Sequence, residues 1–145
     1  MSFVFRGAAD IDVAAPGART VTVTEPHSAP CRRCLRDADV GDRVVLVSYD
    51  PFDTDSPYRS ASPVFVHADP CPPYVDTAVP EQQRRRLLSV RGFDEQAMMR
   101  DSDVVDGEAL EPLLDKLFAD EQTSYVHVHN ARPGCFAVRV TRDSG

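Results

Sequence analysis

The run Tyr125-Val126-His127-Val128-His129-Asn130-Ala131-Arg132-Pro133-Gly134-Cys135-Phe136-Ala137-Val138-Arg139-Val140 carries the reading of the fold. Apolar and polar residues alternate with period two before Ala131-Arg132-Pro133-Gly134, the strand-like run resumes after it, and the Pro and Gly between them demand a turn. Ser124–Asn130 and Cys135–Arg142 are therefore expected to be the strands of a C-terminal β-hairpin. Alternation puts Tyr125, His127 and His129 on one face, with successive members about 6.6–6.8 Å apart, and Val126 and Val128 on the other.

Working outward, Phe3–Arg6, Thr20–Thr24, Arg43–Tyr49 and Pro63–His67 place β-branched and aromatic residues at strand spacing. Val90–Phe93 and Met98–Val105 read as shorter extended segments. Glu25–Pro30, the proline-broken Asp50–Ser62 and Asp69–Tyr74 read as loops, with a turn at Val40-Gly41-Asp42. Pro80 suits the first turn of a helix and Glu81 its positive end, which predicts a helix over Pro80–Ser89. A second helix follows Asp106 as the expected N-cap, because Leu110, Leu113, Leu114, Leu117 and Phe118 form one apolar stripe. Pro112 requires that helix to kink or to begin near Glu111. The order lacks the regular strand–helix alternation of a parallel sheet. The expectation is one α+β domain over residues 1–145, with a mainly antiparallel or mixed sheet, about two helices packed on one face, and the terminal hairpin.

A length of 145 residues, with 42% hydrophobic and 27% charged residues, fits a folded single domain. The net charge of −7 argues against a nucleic acid or an anionic membrane as the partner, since both require a basic face. All the basic residues except Lys116 are arginine, the side chain suited to planar, bidentate anion contacts. The apolar stretch before Arg6 is too short for a signal peptide, so a cytoplasmic location with reduced cysteines is expected.

Two histidines at i and i+2 on a strand, His127 and His129, can chelate one metal, with Cys135 across the turn as a third ligand. No nearby carboxylate completes that set, so no metal or cofactor is expected, and His127, His129 and Cys135 stand as the alternative. His129 and Cys135 can instead work as acid–base and nucleophile, with His127 beside them. Cys31-x-x-Cys34 invites zinc, but such a site wants a second close pair, and Cys71 and Cys135 are far apart in sequence. Asp50, Asp53 and Asp55 match no calcium loop, lacking its Gly and its terminal Glu. Arg84-Arg85-Arg86 reads as a solvated helix face. Ser56-Pro57-Tyr58-Arg59 gathers a hydroxyl, a phenol and a guanidinium in a rigid turn.

Several of these segments together carry a resemblance. They are Pro30-Cys31-Arg32 with Leu35 and Asp37-Ala38, Asp55-Ser56-Pro57-Tyr58-Arg59, Arg84–Ser89, Asp103-Val104-Val105-Asp106-Gly107 and His127-Val128-His129-Asn130-Ala131 with Pro133-Gly134-Cys135-Phe136-Ala137. From about Ala18 to Arg142 the chain resembles an uncharacterised bacterial family, domain of unknown function number 1203. The resemblance implies a small stand-alone protein and brings no activity with it. Residue by residue it includes Cys31, Arg32, Ser56, Tyr58, Arg59, His127, His129, Asn130 and Cys135. Cys34 stands where the family pattern commonly has Ser, and Asp50 and Asp53 fall in a variable stretch.

The resulting expectation is a pocket where the hairpin meets the Cys31 and Ser56–Arg59 loops and binds a small anionic molecule, as a binding module or as an enzyme that turns it over. Arg32, Arg59 and Arg132 would grip the anion, while His127, His129, Asn130, Tyr58 and Cys135 would orient it or react with it. The alternatives are a mononuclear metal protein using His127, His129 and Cys135, and a non-catalytic interaction module. The oligomeric state is left open.

Overall fold

In the computed structural model, which describes residues 1–144, the chain runs β1 (Phe3–Arg6), β2 (Arg19–Thr22), β3 (Arg43–Tyr49), β4 (Ser62–His67), β5 (Val75–Asp76), α1 (Glu81–Arg84), β6 (Leu87–Phe93), β7 (Met99–Asp106), α2 (Leu110–Phe118), β8 (Tyr125–Asn130) and β9 (Phe136–Arg142). The hairpin β8–β9 lies at the centre of a six-stranded antiparallel sheet of order β5-β1-β9-β8-β6-β7. A second antiparallel sheet has the order β2-β3-β4. The α+β architecture with a C-terminal hairpin is the one its strand alternation predicts.

The apolar alternation decides which face is covered by what. Val126 and Val128 of β8, Val138 and Val140 of β9, Leu88 and Val90 of β6 and Phe3 and Phe5 of β1 form one buried face. Leu110, Leu113, Leu114, Leu117 and Phe118 of α2 pack onto it as the predicted stripe. Each such leucine taken out of water is worth about 1.5–3 kcal/mol. On the other face the small sheet approaches β9, where Tyr49 meets the Phe136 ring at 5.9 Å and Ser62 Oγ accepts the Phe136 N–H at 3.0 Å. Covered on both sides, β8 is buried at every residue.

Two helix expectations need correction. The helix expected over Pro80–Ser89 is the single turn Glu81–Arg84, because Leu87-Leu88-Ser89-Val90 is taken up by β6 between β7 and β8. Pairing with two neighbours outweighs local helix preference in so short a segment. Asp106 makes no side-chain cap and precedes a 3-10 turn over Gly107–Ala109, after which α2 begins at Leu110. Pro112 falls in the first turn of α2, where its missing N–H has no helical acceptor to lose. Among the described residues no helix is long and apolar enough to cross a membrane.

Candidate functional site: an arginine-lined cavity

A cavity of about 680 Å³ opens beside the hairpin turn. The turn supplies Asn130, Arg132 and Cys135, the loop before β3 supplies Arg32, and the segment from α1 into β6 supplies Arg84, Arg85 and Arg86. Leu46, Pro63 and Phe65 of the small sheet form an apolar wall. Asp106 and Glu108 are the carboxylates of the lining, set against five arginines. In an acidic protein, this wall is locally basic.

Close backbone contacts hold the wall in place. A Cβ at Gly107 would lie 1.8 Å from the Gln83 carbonyl oxygen, so only glycine lets the 3-10 turn rest on α1. Gly107 N also donates to Arg86 O at 2.8 Å. Arg86 donates to Asp37 Oδ1 at 2.9 Å and to the carbonyls of Gln82 and His27, which ties the arginine run to the loop before β3. Arg84 pairs with Glu111 at 3.1 Å, and Arg85 lies 3.8 Å from Asp37. At the mouth, Arg132 is exposed, and its side chain makes no hydrogen bond or ion pair among the described residues.

The floor is Arg32, only 1% exposed. Its Nε donates to Phe136 O at 2.7 Å, its Nη1 to Pro30 O at 2.6 Å and its Nη2 to Cys135 Sγ at 2.9 Å. Among the described residues no carboxylate pairs with it. Burial pulls its pKa below the ordinary arginine value; the Cys135 sulfur opposes this, and Arg86 adds to it. A buried cation without a counter-ion is costly, and two of its five N–H groups remain for a further partner. Asn130 beside it is 4% exposed, and its Oδ1 has no partner among the described residues.

The structure divides the residues expected at one site. Arg32, Asn130, Arg132 and Cys135 meet at the cavity. His127 does not: it is fully buried among the rings of Phe52, Tyr125, Phe136 and Phe93, at centroid distances of 4.8, 5.0, 5.2 and 5.3 Å, with neither ring nitrogen partnered among the described residues. Burial, reinforced by Arg139, His129 and Arg91, lowers its pKa to about 3. His129 Nδ1 donates to Gly134 O at 3.0 Å, leaving Nε2 to face Arg91 Nη1 at 3.5 Å. Burial lowers the His129 pKa to about 4, although the Gly134 carbonyl resists the shift. Both imidazoles are neutral at pH 7. Neither is hydrogen-bonded to Cys135, whose sulfur is taken by Arg32 instead.

The Ser56–Arg59 turn also stays apart from the cavity. Ser56 Oγ donates to Ala97 O at 2.7 Å, and Tyr58 packs on Phe93 at 5.9 Å. Arg59 is bound by Asp50 at 2.6 Å and Asp55 at 3.0 Å, so the loop aspartates neutralise it. Arg84–Arg86 line the cavity and Arg59 does not. The signal for them was the arginine run itself, once it was placed against a glycine that admits close packing.

Cys31 is absent from the cavity lining, although it adjoins Arg32. It gathers instead with Cys34, His67 and Cys71, and their ligand atoms all lie within 4.8 Å of one another. Hydrogen bonding from Cys34 holds Cys31 well below the usual thiol range, at about 4, against the effect of burial, and Cys34 is pushed up in return. His67 and Cys71 are the members that a search for cysteine pairs alone overlooks.

No curated protein and no solved structure matches the chain. A family model does match, over residues 28–142, a span that includes the cavity's arginines, the hairpin and all four members of the cysteine–histidine cluster. The chain belongs to the family described as "Protein of unknown function (DUF1203)".

Proposed function

We propose that the cavity binds a small organic anion, one that carries a phosphate or carboxylate on an apolar body. The observation that carries this reading is Arg32, a buried guanidinium at the cavity floor with no carboxylate partner among the described residues and two N–H groups to spare. An anion would supply the missing counter-charge, and Arg132 at the mouth offers a second fork. Leu46, Pro63 and Phe65 suit the apolar body, and the unpartnered Asn130 Oδ1 suits an N–H or O–H on it. Binding rather than turnover is proposed, because His129 Nδ1 is held by Gly134 O and the Cys135 sulfur by Arg32. The ligand would be a cytoplasmic metabolite, in keeping with the compartment read from the sequence.

The test is calorimetric titration with phenyl phosphate, with phenol as the neutral control. Phenyl phosphate should bind saturably at one site, and phenol at least about 10-fold more weakly, as expected when charge-assisted hydrogen bonds worth about 1.5–3 kcal/mol each are lost. Arg132→Gln, which breaks no contact within the protein, should weaken phenyl phosphate about 10-fold, and Arg59→Gln should leave it unchanged. Equal affinity for phenol and phenyl phosphate, or an equal loss in both variants, would remove the anion reading.

A further inference from the structure

We infer that Cys31, Cys34, His67 and Cys71 form a zinc site, closed by four protein ligands, that is separate from the anion cavity. The ligand atoms lie within 4.8 Å of one another, with Cys31 Sγ and Cys71 Sγ 3.8 Å apart and Cys34 Sγ and His67 Nδ1 3.5 Å apart. Bonds of about 2.3 Å to sulfur and about 2.0–2.1 Å to nitrogen, at tetrahedral angles, require sulfur–sulfur edges of about 3.8 Å and sulfur–nitrogen edges of about 3.6 Å. The two short edges have the lengths that zinc would impose. Edges this short surround a single ion. Three soft thiolates and one imidazole select zinc over hard cations.

The surroundings supply what a metal site needs beyond its ligands. His67 Nε2, on the side of the ring away from Cys34, lies 3.6 Å from Asp42 Oδ2, the carboxylate–histidine arrangement that orients a ligating imidazole. The His67 amide donates to Cys31 Sγ at 3.4 Å, and Arg33 Nη1 lies 3.9 Å from Cys71 Sγ, so positive charge offsets the three thiolates. The Cys31–Cys34 turn is closed by Leu35 N donating to Cys31 O at 3.1 Å, with Leu35 at φ 59°. A branched side chain held in the left-handed region costs roughly 1–2 kcal/mol, and such strain persists where the surroundings fix it. Four protein ligands leave no open position, so the zinc is structural. It would staple the loops before β3 and after β4 and hold the turn from which Arg32 reaches the cavity.

The experiment is elemental analysis of protein expressed with added zinc and purified under reductant without a metal-affinity step. We expect about one zinc per chain in the parent and in Cys135→Ala and His129→Ala, and less than about 0.1 in Cys34→Ala/Cys71→Ala. Asp42→Asn, which keeps every ligand, should lower zinc affinity about 10-fold. If the double variant does not fold, the stripped parent titrated with cobalt(II) decides, and it should give the intense visible absorption of tetrahedral thiolate-bound cobalt, saturating at one equivalent. The inference is overturned by a parent holding less than about 0.1 equivalent of zinc, by iron in its place, by octahedral cobalt, or by zinc that leaves with Cys135 or His129. The anion titration is read independently, because Arg132 touches none of the four ligands.

Discussion

Arg32 Nη2 donates to Cys135 Sγ at 2.9 Å across 103 positions of sequence, which joins the loop before β3 to the terminal hairpin inside the protein. The contact turns Cys135 from a partner of histidine into a partner of a buried cation. Among the described residues that cation has no carboxylate, which is the physical reason for proposing an anion in the cavity.

Arg32→Lys should destabilise the protein by about 3 kcal/mol, because an ammonium group cannot reach Pro30 O, Phe136 O and Cys135 Sγ together and leaves buried acceptors unpaired. In a double-mutant cycle with Cys135→Ser, read by urea unfolding, the two changes should couple by about 1 kcal/mol. Strict additivity would mean that the contact carries no energy of its own.

Histidine burial predicts the acid side of the stability profile. His127 and His129 have folded pKa values of about 3 and about 4, below the ordinary value of 6.5, so between these limits the unfolded chain binds more protons than the folded one. Their contribution is fully present above pH 6.5 and is lost as the pH falls toward the folded values. The slope should approach about 2 kcal/mol per pH unit near pH 5, from denaturant midpoints taken across the range. His127→Phe should halve it. At pH 7 that variant should be as stable as the parent or more so, since it removes two unpartnered nitrogens from an aromatic cage. An unchanged slope would contradict the burial argument.

The elements that alternation or a turn marks strongly were legible in the sequence. Arg43–Tyr49 and the hairpin around Pro133-Gly134 are local patterns, and the structure keeps them. Leu87–Ser89 was not legible, since whether that segment extends a helix or enters a sheet depends on β7 and β8, which come later in the chain. The site shows the same division. Arg32, Asn130, Arg132 and Cys135 were named together and meet. Ser56–Arg59 offered the right chemistry, but its aspartates and Ala97 claim it locally. Arg84–Arg86 looked like a solvated face because nothing in a one-turn helix tells what packs beside it. Cys71 has no close cysteine in the sequence, but His67 stands four positions before it as His-x-x-x-Cys, and the bridge between Cys31 and Phe65 of β4 sets that pair beside Cys31-x-x-Cys34.

The most direct test of the anion cavity is where binding is felt. Proton–nitrogen correlation spectra that resolve arginine Nε–H and asparagine side-chain amides can follow a titration with phenyl phosphate. The buried Arg32 Nε–H, held by Phe136 O at 2.7 Å, should be visible before ligand is added. Saturating shifts at Arg32 Nε, Arg132 Nε and the Asn130 side chain are the predicted result, with Arg59 and Arg100, whose Nε donates to Asp120 Oδ2 at 2.9 Å, unmoved. Shifts confined to Arg59 and Arg100, or none at Arg32 and Asn130 while phenyl phosphate binds, would contradict the account.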